Sequence, residues 1–471
     1  MILRVSSKKF KKGVGMFLRS KILRIGFVLW LLVLSTGCSV MRSYNDELTE
    51  TIGFAQSNQV DVALQTLESN NKYGDKDLLY YMEKGQLLRF DNRYRESSAA
   101  WFTGDKMIDE WEAGAIVRLG AGVEYVGTVL LNDKTRRYDG HDYEKVMLTT
   151  QLALNHLLNG DWDSARIEIK QMHEREALIA RVLAEDKEEL EAESQKKGVK
   201  TTFKDLNGYP VESLDAPEVT ALKNGYQSAF SHYLAGYVFE SLNEPGLAAP
   251  GYRQAIELNP NIAILEEGLA GLETRPRSQF NQTDVLFVVE SGTAPSLNSI
   301  TIPIPVIVGN TGVVPISFPI LDTDPTHTAT PVKLDINGQN PIPLTAVTSL
   351  DLMSRRALRD DMPGIILRGI LRAAAKTAAQ KALYDQGGAV AIAGVAVNIV
   401  NVITETADER TWRTLPSTIS IGRASLPSGD YEVGIRTSSG VTNTQVVKLQ
   451  GGHAVVVVRL IGNQVFWSQS I

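Results

Sequence analysis

The side chains that could do chemistry are few and scattered. Histidines stand at positions 141, 156, 173, 232, 327 and 453, and one cysteine, Cys38, serves the whole chain of 471 residues. A zinc site needs His or Cys ligands at short, repeated spacing. The stretch HERE at 173–176 offers a single histidine and does not supply it. His156 and His232 fall inside apolar helical patterns, which suit core or groove positions. A serine nucleophile on a G-x-S-x-G elbow, a phosphate loop and a dinucleotide fingerprint are all missing from the sequence. DTDPTHT and DINGQN are oxygen-rich like calcium loops, yet lack the full ligand series and read as turns. Two distant carboxylates could cleave a glycan, but among 54 acids no pair stands out. The expectation is a non-enzyme with no catalytic residues, no metal site and no cofactor.

Cys38 has a clearer setting. Arg4, Lys8, Lys9, Lys11, Lys12, Arg19, Lys21 and Arg24 precede it without a single acid, and the apolar run IGFVLWLLVL follows them. A basic region, a short apolar core and small residues at its end describe a secretory signal over residues 1–37. The core is short for a transmembrane helix, which needs about 20 apolar residues. Leu34-Ser35-Thr36-Gly37-Cys38 resembles the bacterial lipobox. That resemblance implies a thioether-linked diacylglyceryl group on Cys38, cleavage before it and acylation (a palmitate, for example) of the new amino group. Several acyl chains hold a protein stably where one does not. Ser39 stands where an inner-membrane retention signal has Asp, so the expected address is the outer membrane, facing the periplasm. Met1 and Met16 are both candidate starts.

Beyond residue 37 there are forty basic against fifty-four acidic residues, a net charge of −14. Such a chain is a poor match for a phosphate backbone, so nucleic acid is not expected as a partner. With no second cysteine, stability must come from core burial rather than disulfides.

Residues 38–275 carry apolar residues at helical spacing. The stretch SAFSHYLAGYVFESLNEPGLAAPGYRQAIELNP resembles a tetratricopeptide repeat, a 34-residue helix–turn–helix unit. His232, Ala235-Gly236, Phe239, Ala248, Tyr252, Ala255 and Pro260 fall at its signature positions, with His232 and Ala235 departing in residue type. Small Gly236 and Ala248 let two helices cross closely, while Phe239 and Tyr252 fill the space beside them. Weaker copies place Gly85, Ser97 and Trp101, then Ala63 and Leu67, then Ala153, Ala165 and Ile169 at the same offsets. Helix pairs cannot bury their faces alone, so an α-helical solenoid is expected, with a partner-binding groove near His232, Phe239 and Tyr252. The charged run from residue 175 to 200 reads as a long solvated helix with a loop behind it, or as a partner-binding projection.

A polar linker is expected at 276–283, then a domain over 284–471 built as an antiparallel β-sandwich with a helical insertion at about 346–410. In that insertion Arg368, Arg372 and Lys376 lie four apart on one helix face, begun by Pro363. They are either a solvated face or a contact for anionic head groups or an acidic glycan. The uncharged stretch 386–404 is long enough for a membrane helix, but its glycines and asparagines favour a buried one. Asp408, Arg410, Trp412, Arg413, Leu415 and Pro416 form a dense charged-aromatic junction, read as structural with Asp408 pairing to Arg.

Together with DVLFVVESGTAP and the repeats, this junction makes the chain resemble a family of uncharacterised proteobacterial lipoproteins with a tetratricopeptide-like front half and a C-terminal β domain. The resemblance implies an envelope role, linked to peptidoglycan synthesis by gene association only, and no established activity. The functional expectation is a non-enzymatic adaptor, tethered to the outer membrane through Cys38, that binds envelope proteins or peptides through its repeats. An accessory subunit of an export or surface-polymer assembly and an unrecognised cell-wall enzyme stay open beside it.

Overall fold

The computed structural model describes residues 44–71, 76–121, 137–275, 281–308, 310–322, 331–385, 407–436 and 442–470. Cys38, the signal segment and the stretch 386–404 lie outside them.

The front half is a row of helix pairs: α1 (Tyr44–Gln56) with α2 (Val60–Asn70), and α3 (Leu78–Phe90) with α4 (Tyr94–Ala121). Next come α5 (Asp142–Leu158) with α6 (Trp162–Lys197), then α7 (Ala229–Ser241) with α8 (Pro245–Leu258), and a closing helix α9 (Ala263–Ala270). One internal register builds all four pairs. Thr51, Gly85, Ala153 and Gly236 sit on the first helix of each; Ala63, Ser97, Ala165 and Ala248 follow twelve residues later, and Leu67, Trp101, Ile169 and Tyr252 sixteen later. The positions on the second helices are all buried. The reason is contact distance. A Cβ on Gly85 would lie 2.2 Å from Trp101 Nε1, and one on Gly236 would lie 2.7 Å from the Tyr252 ring. The 68-residue step from Ser97 to Ala165 matches two repeat lengths but separates neighbouring pairs, since α4 packs directly on α5.

The back half supplies three sheets. The central one has the order β11 (Gln464–Gln469), β10 (His453–Ile461), β1 (Gln282–Ser291), β7 (Thr418–Pro427), β6 (Thr345–Ser349). A four-stranded sheet runs β5 (Ile342–Pro343), β4 (Lys333–Ile336), β8 (Gly429–Arg436), β9 (Thr442–Leu449). β2 (Leu297–Val308) and β3 (Asn310–Leu321) form a separate hairpin, whose prolines are tolerated because both strands are edges. The strands before residue 349 and those after 417 interleave in one sheet, as expected. The expected all-antiparallel pattern needs one correction, because β1 and β10 pair in parallel with Val285 opposite Ala454. A parallel neighbour requires a crossover, and here the whole intervening chain provides it.

The central sheet is buried on both faces. Val285, Phe287 and Val289 of β1 join Val456 and Val458 of β10 against the second sheet. Alternate residues Leu286, Val288, Val455 and Val457 face the other way, into one continuous core with the helices. The layers are therefore helices, central sheet, second sheet.

This changes the solenoid reading. The first helices of the later pairs are buried almost all round: eleven of thirteen residues in α3, fifteen of seventeen in α5. All residues from Ala229 to Phe239 of α7 are likewise buried. The second helices of the outer pairs bury a stripe only, such as Ala248, Gly251, Tyr252 and Ala255 in α8. A helix apolar on every side must be covered on every side. Here the second helices cover one side and the chain's own sheet the other.

Helix α10 (Leu350–Asp385) begins thirteen residues ahead of Pro363, which lies inside it rather than opening it. It packs with the β2–β3 hairpin and with Phe203, Leu206, Tyr209 and Leu214, so the segment trailing α6, expected as a loop, belongs to a third core. α6 itself is capped by Asp161, which accepts from Ser164 N at 3.0 Å, and ends at Gly198 with φ +64°. No helix among the described residues is long and apolar enough to cross a membrane.

Candidate functional site

The groove expected near His232, Phe239 and Tyr252 is not an open surface. Phe239 and Tyr252 are buried in the core shared with the sheet, and His232 is buried against α6. Tyr252 packs on Gly236, and its hydroxyl donates to Glu240 at 2.6 Å. His232 stacks on His173 with centroids 5.3 Å apart, and its Nε2 lies 3.1 Å from Glu176 Oε2. The physical reason for the correction is that the sheet covers Phe239 and Tyr252 while α6 covers His232.

The helical layer and the sheet are also locked by buried polar groups. Arg89 Nη2 donates to Glu290 Oε2 at 2.5 Å, and Gln151 Nε2 donates to Glu290 Oε1 at 2.9 Å. Glu83 accepts from Arg413 N at 2.7 Å and Thr414 N at 3.1 Å, and from the Thr414 hydroxyl. Glu144 accepts from Trp412 N at 2.7 Å while its other oxygen closes a capping box on His141 N at 3.0 Å. The junction at 407–416 is thus structural, as expected: Trp412 is buried and Arg410 pairs with Asp408 at 2.7 Å. Burial pushes Glu83 up to about 7, against the pull of the hydrogen bonds it accepts from Thr414 and Arg413.

Concavity appears elsewhere. A cavity of about 270 Å³ lies where the turn before α5, the β2–β3 hairpin, α10 and the 407–408 segment meet. Leu297, Ile316, Leu321, Leu358 and Ile365 give it an apolar floor. Tyr138, His141 and Tyr143 supply aromatic rings at one side, with His141 stacked on Tyr143 at 5.6 Å. Leu358, Asp361, Ile365, Arg368 and Arg372 recur at three- and four-residue steps, so a single face of α10 forms one wall.

Two of the three basic residues picked from the sequence therefore share a site, but one that faces inward. Arg368 and Arg372 line the cavity, and Arg372 is buried; the side chain of Lys376 lies outside the described residues. Sequence reasoning missed Asp361. It stands on the same face of α10, solvent-exposed at the mouth of the cavity. The adjacent Asp360-Asp361 pair ahead of Pro363 was the available signal.

No family model matches the chain, and no curated protein matches it. Among solved structures, a tetratricopeptide repeat protein from Parabacteroides merdae ATCC 43184 matches at 10% identity. The match covers 49% of this chain and 99% of that one, with a TM-score of 0.14. The repeat character of this chain rests on its own twelve- and sixteen-residue register. Among the described residues no group of three or more His, Cys, Asp or Glu side chains is placed to hold a metal ion.

Proposed function

We propose that the protein is a non-enzymatic interaction adaptor of the bacterial cell envelope, anchored at the outer membrane through lipid on Cys38 and facing the periplasm. The anchor reading is supported by the Leu34–Cys38 pattern behind a basic, then apolar, leader. The family resemblance adds a setting near peptidoglycan synthesis. One observation carries the adaptor reading: the repeat layer and the β domain form a single scaffold, and the cavity at their junction presents an apolar floor with charged and aromatic walls. Pockets of this make-up bind and orient a ligand segment. In this reading the partner is engaged at the cavity rather than along the repeats.

Site-specific photocrosslinking in intact cells tests it. A photoreactive residue in place of Leu321, at the cavity, is expected to give a discrete intermolecular adduct. The same residue in place of Phe239 is expected to react only within the chain. An adduct at Phe239 and none at Leu321 would return recognition to the repeats.

A further inference from the structure

The β2–β3 hairpin carries a surface that the adaptor reading leaves unused. From Leu297 to Leu321 there is no Asp, Glu, Lys, Arg or His, in a chain where 22% of residues are charged. One face of the hairpin is occupied. Ile302, Ile316 and Phe318 are buried in the core with α10, and Ile304 and Val314 pack against it. On the other face Pro303, Pro305 and Val313 are exposed among the described residues, Val313 at 67%. Pro305 stands opposite Val313 and Pro303 opposite Pro315, so these side chains form one apolar patch. A contiguous apolar patch left in the open marks a contact surface.

Two observations choose the occupant. The first is where the anchor meets the fold. Asn45, at the start of α1, donates through Nδ2 to the Leu297 carbonyl and lies 3.4 Å from Asn298 Oδ1, at the base of the hairpin. Asn45 is seven residues beyond Cys38, a reach of at most about 25 Å for an extended chain. Each hairpin strand has twelve residues and runs about 40 Å from that base. A lipid on Cys38 therefore holds the base nearer to the bilayer than the hairpin is long. The second observation is the prolines. Among the described residues β2 and β3 pair only with each other, so each has a free edge. A free edge ordinarily recruits a strand from a second copy, but Pro303, Pro305, Pro315 and Pro319 cannot donate to such a ladder. The patch is left to side-chain contact with an apolar surface close at hand, which is lipid. Deep insertion is barred, because hydrocarbon would leave the edge carbonyls unpaired. The boundary between head groups and acyl chains carries no such penalty.

We propose that the distal half of the β2–β3 hairpin lies in the head-group and upper acyl region of the membrane, as a second attachment beside the lipid on Cys38. The inference rests on the anchor reading and goes beyond it. A single tether leaves the body free to turn, whereas a second contact fixes which side faces the bilayer. Leu297, Ile316 and Leu321 of the same hairpin floor the cavity, so a docked hairpin holds the cavity close to the lipid surface.

The test places one fluorescent label on the lipidated protein. Val313→Cys is labelled with nitrobenzoxadiazole and reconstituted in vesicles of phosphatidylethanolamine and phosphatidylglycerol, with or without a nitroxide high on the acyl chain. Leu247→Cys on α8, a position 48% exposed, is the control. Both positions are exposed, so neither label disturbs the core. The label at 313 is expected to shift to the blue and to lose at least threefold in emission to the nitroxide lipid, and the label at 247 to do neither. Quenching at 313 no greater than at 247 would overturn the proposal. Protection at 313 from aqueous iodide without nitroxide quenching, relieved at a lower protein-to-lipid ratio, would assign the patch to a second copy and overturn it as well. The unsubstituted protein reports on the anchor separately, since Cys38 is the only cysteine and takes up no dye once acylated. If it does take up dye, the anchor reading falls. The hairpin contact is then judged in Cys38→Ser with Val313→Cys, where quenching at 313 supports it and no quenching overturns it.

Discussion

Arg89 on α3 and Glu290 on β1, 201 residues apart in sequence, form an ion pair of 2.5 Å in which neither side chain is more than 3% exposed. Gln151 completes the carboxylate's shell. Removing one partner from such a pair leaves a buried charge uncompensated, which costs about 3–5 kcal/mol. Arg89→Ala and Glu290→Ala are each expected to lose that much in chemical denaturation. Replacing both together should cost less than the sum of the two, because neither charge is then stranded.

The repeat register predicts a contrast between glycines. Gly85→Ala places a methyl 2.2 Å from the indole of buried Trp101, and overpacking of this kind costs about 1–3 kcal/mol or more. Gly53, on the first helix pair, has nothing within 4 Å of where a Cβ would lie. Gly53→Ala should be neutral or stabilise by about 0.5–1 kcal/mol, since alanine is the better helix former. Thermal unfolding of the two variants checks both signs.

Two buried carboxylates should contribute stability that falls as pH rises from about 5 to 8, while His156, His173 and His453, held below their ordinary range by burial, contribute in the opposite sense. Burial raises Glu83 and Glu168 to about 7, above the ordinary carboxylate range. The folded state therefore holds protons that the unfolded chain releases. The associated stability is complete below about pH 4.5 and is lost as pH passes the folded values. Glu83→Gln should flatten part of this slope, measured as denaturation midpoints at pH 5 and pH 8.

Cys38→Ser is expected to abolish incorporation of radiolabelled palmitate and to leave a protein that no longer fractionates with the outer membrane. Normal labelling and location of that variant would remove the anchor from the account.

Much of the helical half was legible because close helix crossing demands a small residue opposite a large one. Gly85 with Trp101 and Gly236 with Tyr252 announce that contact at fixed spacing. The parallel pairing of β1 with β10 was not legible, since nothing local in HAVVVVRL says which distant strand it joins. Nor was the closed groove. Glu83, Glu144 and Glu290 read as ordinary solvated charges until their partners arrive from far along the chain. The one available warning was α7, apolar on nearly every side and so too greasy for an open groove. The cavity carboxylate was hidden for a similar reason: Asp361 gains its setting from a hairpin and a turn that lie remote in sequence.

The central claim is that the sheet closes the inner face of the repeats and the two fold as one unit. Hydrogen–deuterium exchange of the full-length protein, with and without Glu290→Ala, tests it most directly. The account predicts that α5, α7 and β1 are protected to a similar degree, and that the substitution raises exchange in all three together. Exchange that rises in β1 alone, with α5 and α7 unchanged, would contradict it.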